Sequence, residues 1–236
     1  MHKRNCFTPI DVSELSASEK GKALDSLIFL VEKRDKRVKA RTCANGSVQR
    51  AWMSKEEASS PTAALESILL TCVIEAKEKR EVATVDIPNA FIQAPVETKP
   101  GDDRIVMKIQ GMLVDMLVKM NPELYGPKVV FEKGKKILYV QVLRAIYGML
   151  DAALLYYKKF RKDLEELGFK FNPYDACVAN KKVQGRRLTV CFHVDDLKVS
   201  HVITRVVDDF IQWAVWKCGD PEIGDLKITR GKKHFF

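Results

Sequence analysis

Two apolar periods alternate along this chain of 236 residues. Between Pro61 and Arg80, Leu65, Ile68, Leu69, Cys72, Val73 and Ala76 keep the i, i+3, i+4, i+7, i+8 spacing of one helix face. Ser60 stands where an N-cap belongs and Pro61 at the first helical position, which predicts where that helix starts. A second helix is predicted from Leu150, with Leu154, Tyr157, Phe160, Leu164 and Leu167 on its inner face and Gly168 as its stop. A third covers Ile203 to Lys217, with Val206, Phe210, Trp213 and Lys217 inward or snorkelling, closed by Gly219, Asp220 and Pro221. Shorter runs predict strands at 26–31, 81–86, 104–109 and 137–143, and a hairpin from 188–194 and 197–202. The stretch 112–134, interrupted by Pro122, Gly126 and Pro127, predicts no clear element. This order of strand, helix, strand pair and helix predicts an α+β fold, a sheet with helices packed on one face.

Charge narrows the function classes. Lys and Arg number 40 against 31 Asp and Glu, a formal +9, on a composition 46% hydrophobic and 30% charged. Those proportions exclude a disordered tail. The apolar runs, Leu27 to Val31 for example, are far too short to span a bilayer, so no membrane partner is expected. Met1 to Asn5 lacks the apolar stretch of a secretory signal, and the expected location is intracellular. Such a basic chain suits a polyanion, nucleic acid first. Seven bases and two acids lie between Glu32 and Arg50, where a hairpin turning at Asp35-Lys36 is predicted. The six cysteines form no C-x-x-C pair, and Cys191 with His193 makes no metal site alone, so buried reduced thiols are expected.

The densest chemistry is Val190-Cys191-Phe192-His193-Val194-Asp195-Asp196-Leu197-Lys198-Val199. Two adjacent carboxylates at the tip of an apolar hairpin repel one another and lose solvation, which calls for a cation or a proton. Asp-Asp is also ordinary turn chemistry. Asp86 ends the strand 81–86, where a scaffold fixes a ligand while the next loop faces substrate; it could equally cap that turn. If the two strands are neighbours in one sheet, Asp86, Asp195 and Asp196 converge. Three such carboxylates would hold two metal ions about 3.5–4 Å apart, the arrangement of phosphoryl transfer. Oxygen ligands of this kind suit Mg²⁺.

These segments, Asp86-Ile87-Pro88-Asn89-Ala90-Phe91, Ala145-Ile146-Tyr147-Gly148 and Val194-Asp195-Asp196, resemble in order and spacing a copia-type LTR retrotransposon reverse transcriptase. Lys39-Ala40-Arg41, Gly168-Phe169 and Asp175 match further parts, and the resemblance covers roughly residues 27 to 234. It implies an RNA-directed DNA polymerase of fingers-and-palm architecture, the palm an antiparallel sheet. Fingers would take 1–81 and 111–148, palm 82–110 and 149–236. Asp86, Asp195 and Asp196 would be the catalytic and metal-binding triad, with two Mg²⁺ ions or Mn²⁺ in their place. Lys39 and Arg41 would reach the incoming dNTP, Phe91 would lie under its sugar, and Gly148 and Asp151 would complete that pocket. For Phe91 core packing is the other reading, and for Gly148 a turn. His193 and Tyr147 would face the RNA or DNA template-primer.

The departures from the family pattern are specific. Asp151 stands where the family has glutamine, His193 replaces a tyrosine, and Pro88 replaces a lysine. The sequence stops at Phe235-Phe236, so thumb and ribonuclease H regions are expected to be absent and the chain to be a fragment. A catalytically inactive nucleic-acid-binding remnant is the alternative expectation. In an active element the protein would sit in a cytoplasmic virus-like particle.

Overall fold

A computed structural model describes residues 1–32, 34, 36–219 and 225–231. Along the chain run β1 (Phe7–Pro9), α1 (Ala17–Gly21), β2 (Leu24–Glu32), β3 (Val38–Ala44), α2 (Lys55–Ala58), α3 (Leu65–Glu78) and β4 (Glu81–Asp86). Then come β5 (Val106–Gln110), α4 (Met112–Met120), α5 (Pro122–Tyr125), β6 (Val129–Glu132), β7 (Lys135–Val142) and α6 (Ala152–Glu166). The series ends with β8 (Lys170–Phe171), β9 (Val178–Val183), β10 (Arg186–His193), β11 (Asp196–His201), α7 (Thr204–Cys218) and β12 (Lys227–Arg230). The expected turn at Asp35, the helix stop at Asp220-Pro221 and the last residues from Lys232 on lie outside the described residues.

The chain forms two compact units, 1–59 with 94–155 and 60–93 with 156–236. These bounds differ from the expected division at 81, 110 and 148. The reason lies in pairing: β5 is hydrogen-bonded between β2 and β7 and belongs with them, while α3 is tied to β11 by a buried ion pair.

The first unit holds the sheet β1-β7-β5-β2-β3, with β6 also on β7. All its pairings are antiparallel except β2 with β5. Ile10, Val106, Ile137 and Tyr139 pack as its core cluster. The basic hairpin is present as β2 and β3, paired from Ser26–Ala44 to Glu32–Val38. The stretch 112–134, unreadable in sequence, contains two helices. Asn121 accepts from the backbone N–H of Leu124, and Pro122 occupies the first turn of α5, which is ordinary N-terminal chemistry.

In the second unit the sheet order is β12-β4-β11-β10-β9-β8, antiparallel throughout. Alternation sends Phe192 and Leu197 to one face and Cys191 and Lys198 to the other. On the first face Phe192 meets Tyr157 and Phe160 of α6, and α7 lies against β4 and β11. Gly168 ends α6 with φ of 89°, and the N–H groups of Gly168 and Phe169 reach the carbonyls of Glu165 and Leu164. That is a Schellman closure, available because glycine accepts the left-handed conformation.

The opposite face carries α3, so the helices do not all pack on one side as the sequence pattern suggested. Lys198, 4% exposed, is the cause. Its Nζ lies 3.0 Å from Glu75 and 2.7 Å from Thr71 on α3. A buried ammonium needs a partner, and that need turns Thr71 and Glu75 inward. The predicted apolar stripe is consequently outside, with Leu69 56% and Val73 63% exposed. The helix start moves as well. Ala64 is the N-cap residue in place of Ser60, and its N–H donates to Asp175 Oδ2 at 3.0 Å.

Candidate active site

Three of the singled-out carboxylates belong to the second unit. Asp86 is the last residue of β4 and Asp196 the first of β11, and the antiparallel register sets them directly opposite each other. Asp195 lies between the strands of the β10–β11 hairpin, and its carbonyl accepts the N–H of Ile87 at 2.9 Å. This bond ties the hairpin tip to the chain just past Asp86. The sequence separates these residues widely; the β4–β11 pairing joins them.

The tip is a two-residue turn, Val194-Asp195, between the paired ends His193 and Asp196. Val194 has φ of 55°, a left-handed conformation that suits glycine and is costly for a β-branched side chain. Strain of this kind is worth about 1–3 kcal/mol and persists where surrounding pairing over-determines it. Here β10 and β11 hold both ends.

Electrostatics follow from the crowding. Burial pushes the Asp196 carboxyl above its ordinary 3.8, and the neighbouring charges of Asp195 and Asp86 push it further. His193 and Lys227 act the other way. Lys227, on β12 opposite Asp86, brings Nζ to 3.2 Å from Asp86 Oδ2. The sequence reading did not single out this lysine.

Among the described residues, no three His, Cys, Asp or Glu side chains close around one point as a metal ligand set. The donor chemistry nevertheless fits a divalent cation. Asp86 and Asp196 offer hard carboxylate oxygens from opposing strand ends, and the raised Asp196 marks a place short of positive charge.

Phe91 lies in the same unit, half-buried in the 3₁₀ turn Ala90–Gln93 that follows Asp86. His193, exposed, ends β10 beside the turn.

The remaining expected contacts belong to the first unit. Lys39 and Arg41 stand on β3, opposite Val31 and Phe29, and the Arg41 side chain is exposed. Tyr147 and Gly148 adjoin the end of the same strand: the Tyr147 carbonyl accepts from Ala44 N at 2.8 Å. Gly148 has φ of 92°, and a Cβ there would meet the Ala44 carbonyl at 2.0 Å. The close approach this glycine permits is to protein backbone. Asp151 precedes α6, and its carbonyl accepts the N–H of Leu155 at 2.9 Å, so it starts the helix. It also lines a cavity of about 660 Å³ with Glu57, Glu97, Asp102 and Asp103. Lys22, Lys99 and Arg104 line it too, so its charges are mixed.

A family model, reverse transcriptase (RNA-dependent DNA polymerase), matches residues 28–227. No curated protein matches the sequence. Among solved structures, telomerase from Candida albicans in complex with the TWJ fragment of telomeric RNA matches at 6% identity and a TM-score of 0.41. The match covers 98% of this chain and 46% of that one, so the chain spans less than half of that protein's length.

Proposed function

We propose that this chain, which belongs to the reverse transcriptase (RNA-dependent DNA polymerase) family, is the nucleotidyl-transfer part of a copia-type element. The observation that carries the reading is the register placing Asp196 opposite Asp86, with Asp195 bound through its carbonyl to Ile87. In this reading the second unit is the palm and the first the fingers. Asp86, Asp195 and Asp196 would hold divalent cations, Mg²⁺ or Mn²⁺. Bound there, such ions would lower the pKa of a primer 3′-hydroxyl and stabilise the charge building on the pyrophosphate that leaves.

The protein's own contributions are positional. The strand ends of β4 and β11 fix two carboxylates, and the strained turn fixes the third. Raised in pKa, Asp196 holds its proton to higher pH than an ordinary carboxyl, and a cation would have to displace that proton, which would couple metal loading to pH. Lys39 and Arg41, on an exposed hairpin, would bind the triphosphate of a dNTP. Phe91, fixed close after Asp86, would exclude a ribose 2′-hydroxyl. Replacing Phe91 with alanine should then raise ribonucleotide incorporation relative to deoxyribonucleotide.

The test is Mg²⁺-dependent extension of a primer on an RNA template. The expected result is extension by the chain and none by Asp195→Ala; equal extension by both removes the assignment. A second reading, a nucleic-acid-binding remnant without catalysis, is favoured by Asp151, a carboxylate where the family has glutamine. It predicts salt-sensitive binding of template-primer with no incorporation at any metal concentration.

A further inference from the structure

The end of the second unit's sheet farthest from the aspartates carries an unassigned groove. It consists of two adjoining cavities, about 440 and 500 Å³, which share Asn172, Asn180, Gly185 and Arg187. Thr189 and Ser200, paired across β10 and β11, line the first. They lie four residues up their strands from His193 and Asp196, about 14 Å away at the usual rise. The groove is therefore separate from the carboxylate site.

Its walls are basic. Arg80, Arg186, Arg187, Lys170, Lys181 and Lys182 line it, against the single acid Glu78 among the described residues. The deep end is built. The Arg80 side chain, 4% exposed, donates from one nitrogen to Thr189 Oγ1 at 3.1 Å while Glu78 holds two others. Beside it the Ser200 hydroxyl is buried without a hydrogen-bond partner, an orphan in a wall otherwise satisfied. Arg186, Arg187 and Lys182 are exposed toward solvent around the β9–β10 turn. The loop that brings Asn172 and Pro173 to the groove carries Tyr174, 96% exposed.

We propose that this groove binds the phosphate backbone of a single nucleic-acid strand along Lys182, Arg186 and Arg187, with a base stacked on Tyr174. A row of bases with one acid, longer than one cavity, suits a repeated anion better than a lone phosphate. A fully exposed ring beside it offers a face to any base, the usual partner of such a charged track. The strand here is held away from the carboxylates, as a hold on template outside the reaction centre. The inference requires only that the chain handles nucleic acid, and it stands apart from catalysis.

The experiment is anisotropy of a fluorescein-labelled oligouridylate titrated with the full chain over a salt series. The comparison is with Lys182→Glu/Arg187→Glu and Tyr174→Ala, all at exposed positions, with melting curves checking the fold. The double reversal should weaken binding roughly tenfold and flatten the salt slope by about 1.4, two phosphate contacts' worth. Tyr174→Ala should weaken it roughly fivefold with the slope unchanged, the mark of lost stacking. Wild-type affinity in both variants overturns the proposal. So does displacement of the RNA by polyglutamate as effective as by unlabelled oligouridylate. Primer extension is run in parallel to separate the two readings. No extension with groove-dependent binding removes the polymerase assignment alone, and extension with groove-independent binding removes only this one.

Discussion

Lys227 and Asp86 face each other across the β12–β4 pairing, with Nζ 3.2 Å from Oδ2. The lysine side chain is largely exposed, so the pair adds little to stability, about 1 kcal/mol or less. Its effect is on charge. Lys227 lowers the Asp196 carboxyl, so Lys227→Met should move the acid limb of the pH–rate profile upward while leaving Tm nearly unchanged. An unmoved limb would mean that the Lys227 charge does not act on Asp196 in the working protein.

Asp196 makes a prediction about stability with a definite sign. Its folded carboxyl is raised above 3.8, so the folded state binds more protons than the unfolded one and loses stability as pH rises past that value. Asp196→Asn should therefore melt higher than wild type at pH 7, with the gap closing as pH falls toward 3.8. Added Mg²⁺ should raise the wild-type Tm more than that of the variant. Thermal melts across pH, with and without the ion, read both.

The Lys198–Glu75 pair is buried, with side chains 4% and 9% exposed. Lys198→Met strands a buried carboxylate and should cost about 3–5 kcal/mol in urea denaturation. Lys198→Met/Glu75→Leu should recover most of that loss, because an apolar pair of similar volume needs no desolvation. A double variant no better than the single one would show that the ions themselves stabilise α3.

Gly148 and Gly134 separate two costs of adding a methyl group. Both have positive φ, 92° and 74°, but only Gly148 has backbone, the Ala44 carbonyl, at 2.0 Å from a Cβ. Gly134→Ala should cost about 1 kcal/mol through conformation alone. Gly148→Ala should cost several times that and disturb the end of β3. Equal losses would remove the close-approach account.

How much of this was legible in the sequence depends on where each residue's partner lies. β4 emerged at its read bounds, and α6 stops at Gly168 as expected, because alternation and glycine chemistry are local signals. Asp86 at a strand end and Asp195-Asp196 at a hairpin tip were legible for the same reason. The inner face of α3 was not, since its orientation answers a lysine more than a hundred residues away. The signal existed: Lys198 interrupts the apolar run from Leu197 to Val199, and Thr71 and Glu75 are spaced four apart. Lys227 left no local mark at all. Its role appears only when β12 pairs with β4.

The interleaving of the two units has a consequence during synthesis. Residues 60–93 leave the ribosome after only part of the first unit, whose remainder, including β5 and β7, follows them. β4 then emerges with neither neighbour, since β11 and β12 both come later in the chain. At ordinary translation speeds that wait lasts roughly 5–20 s for β11. During it, Asp86 ends a strand with both edges unpaired, the state most open to wrong partners. The carboxylate centre is thus assembled last, by the closing strands, and a nascent chain halted before β11 holds half a site on an unprotected edge.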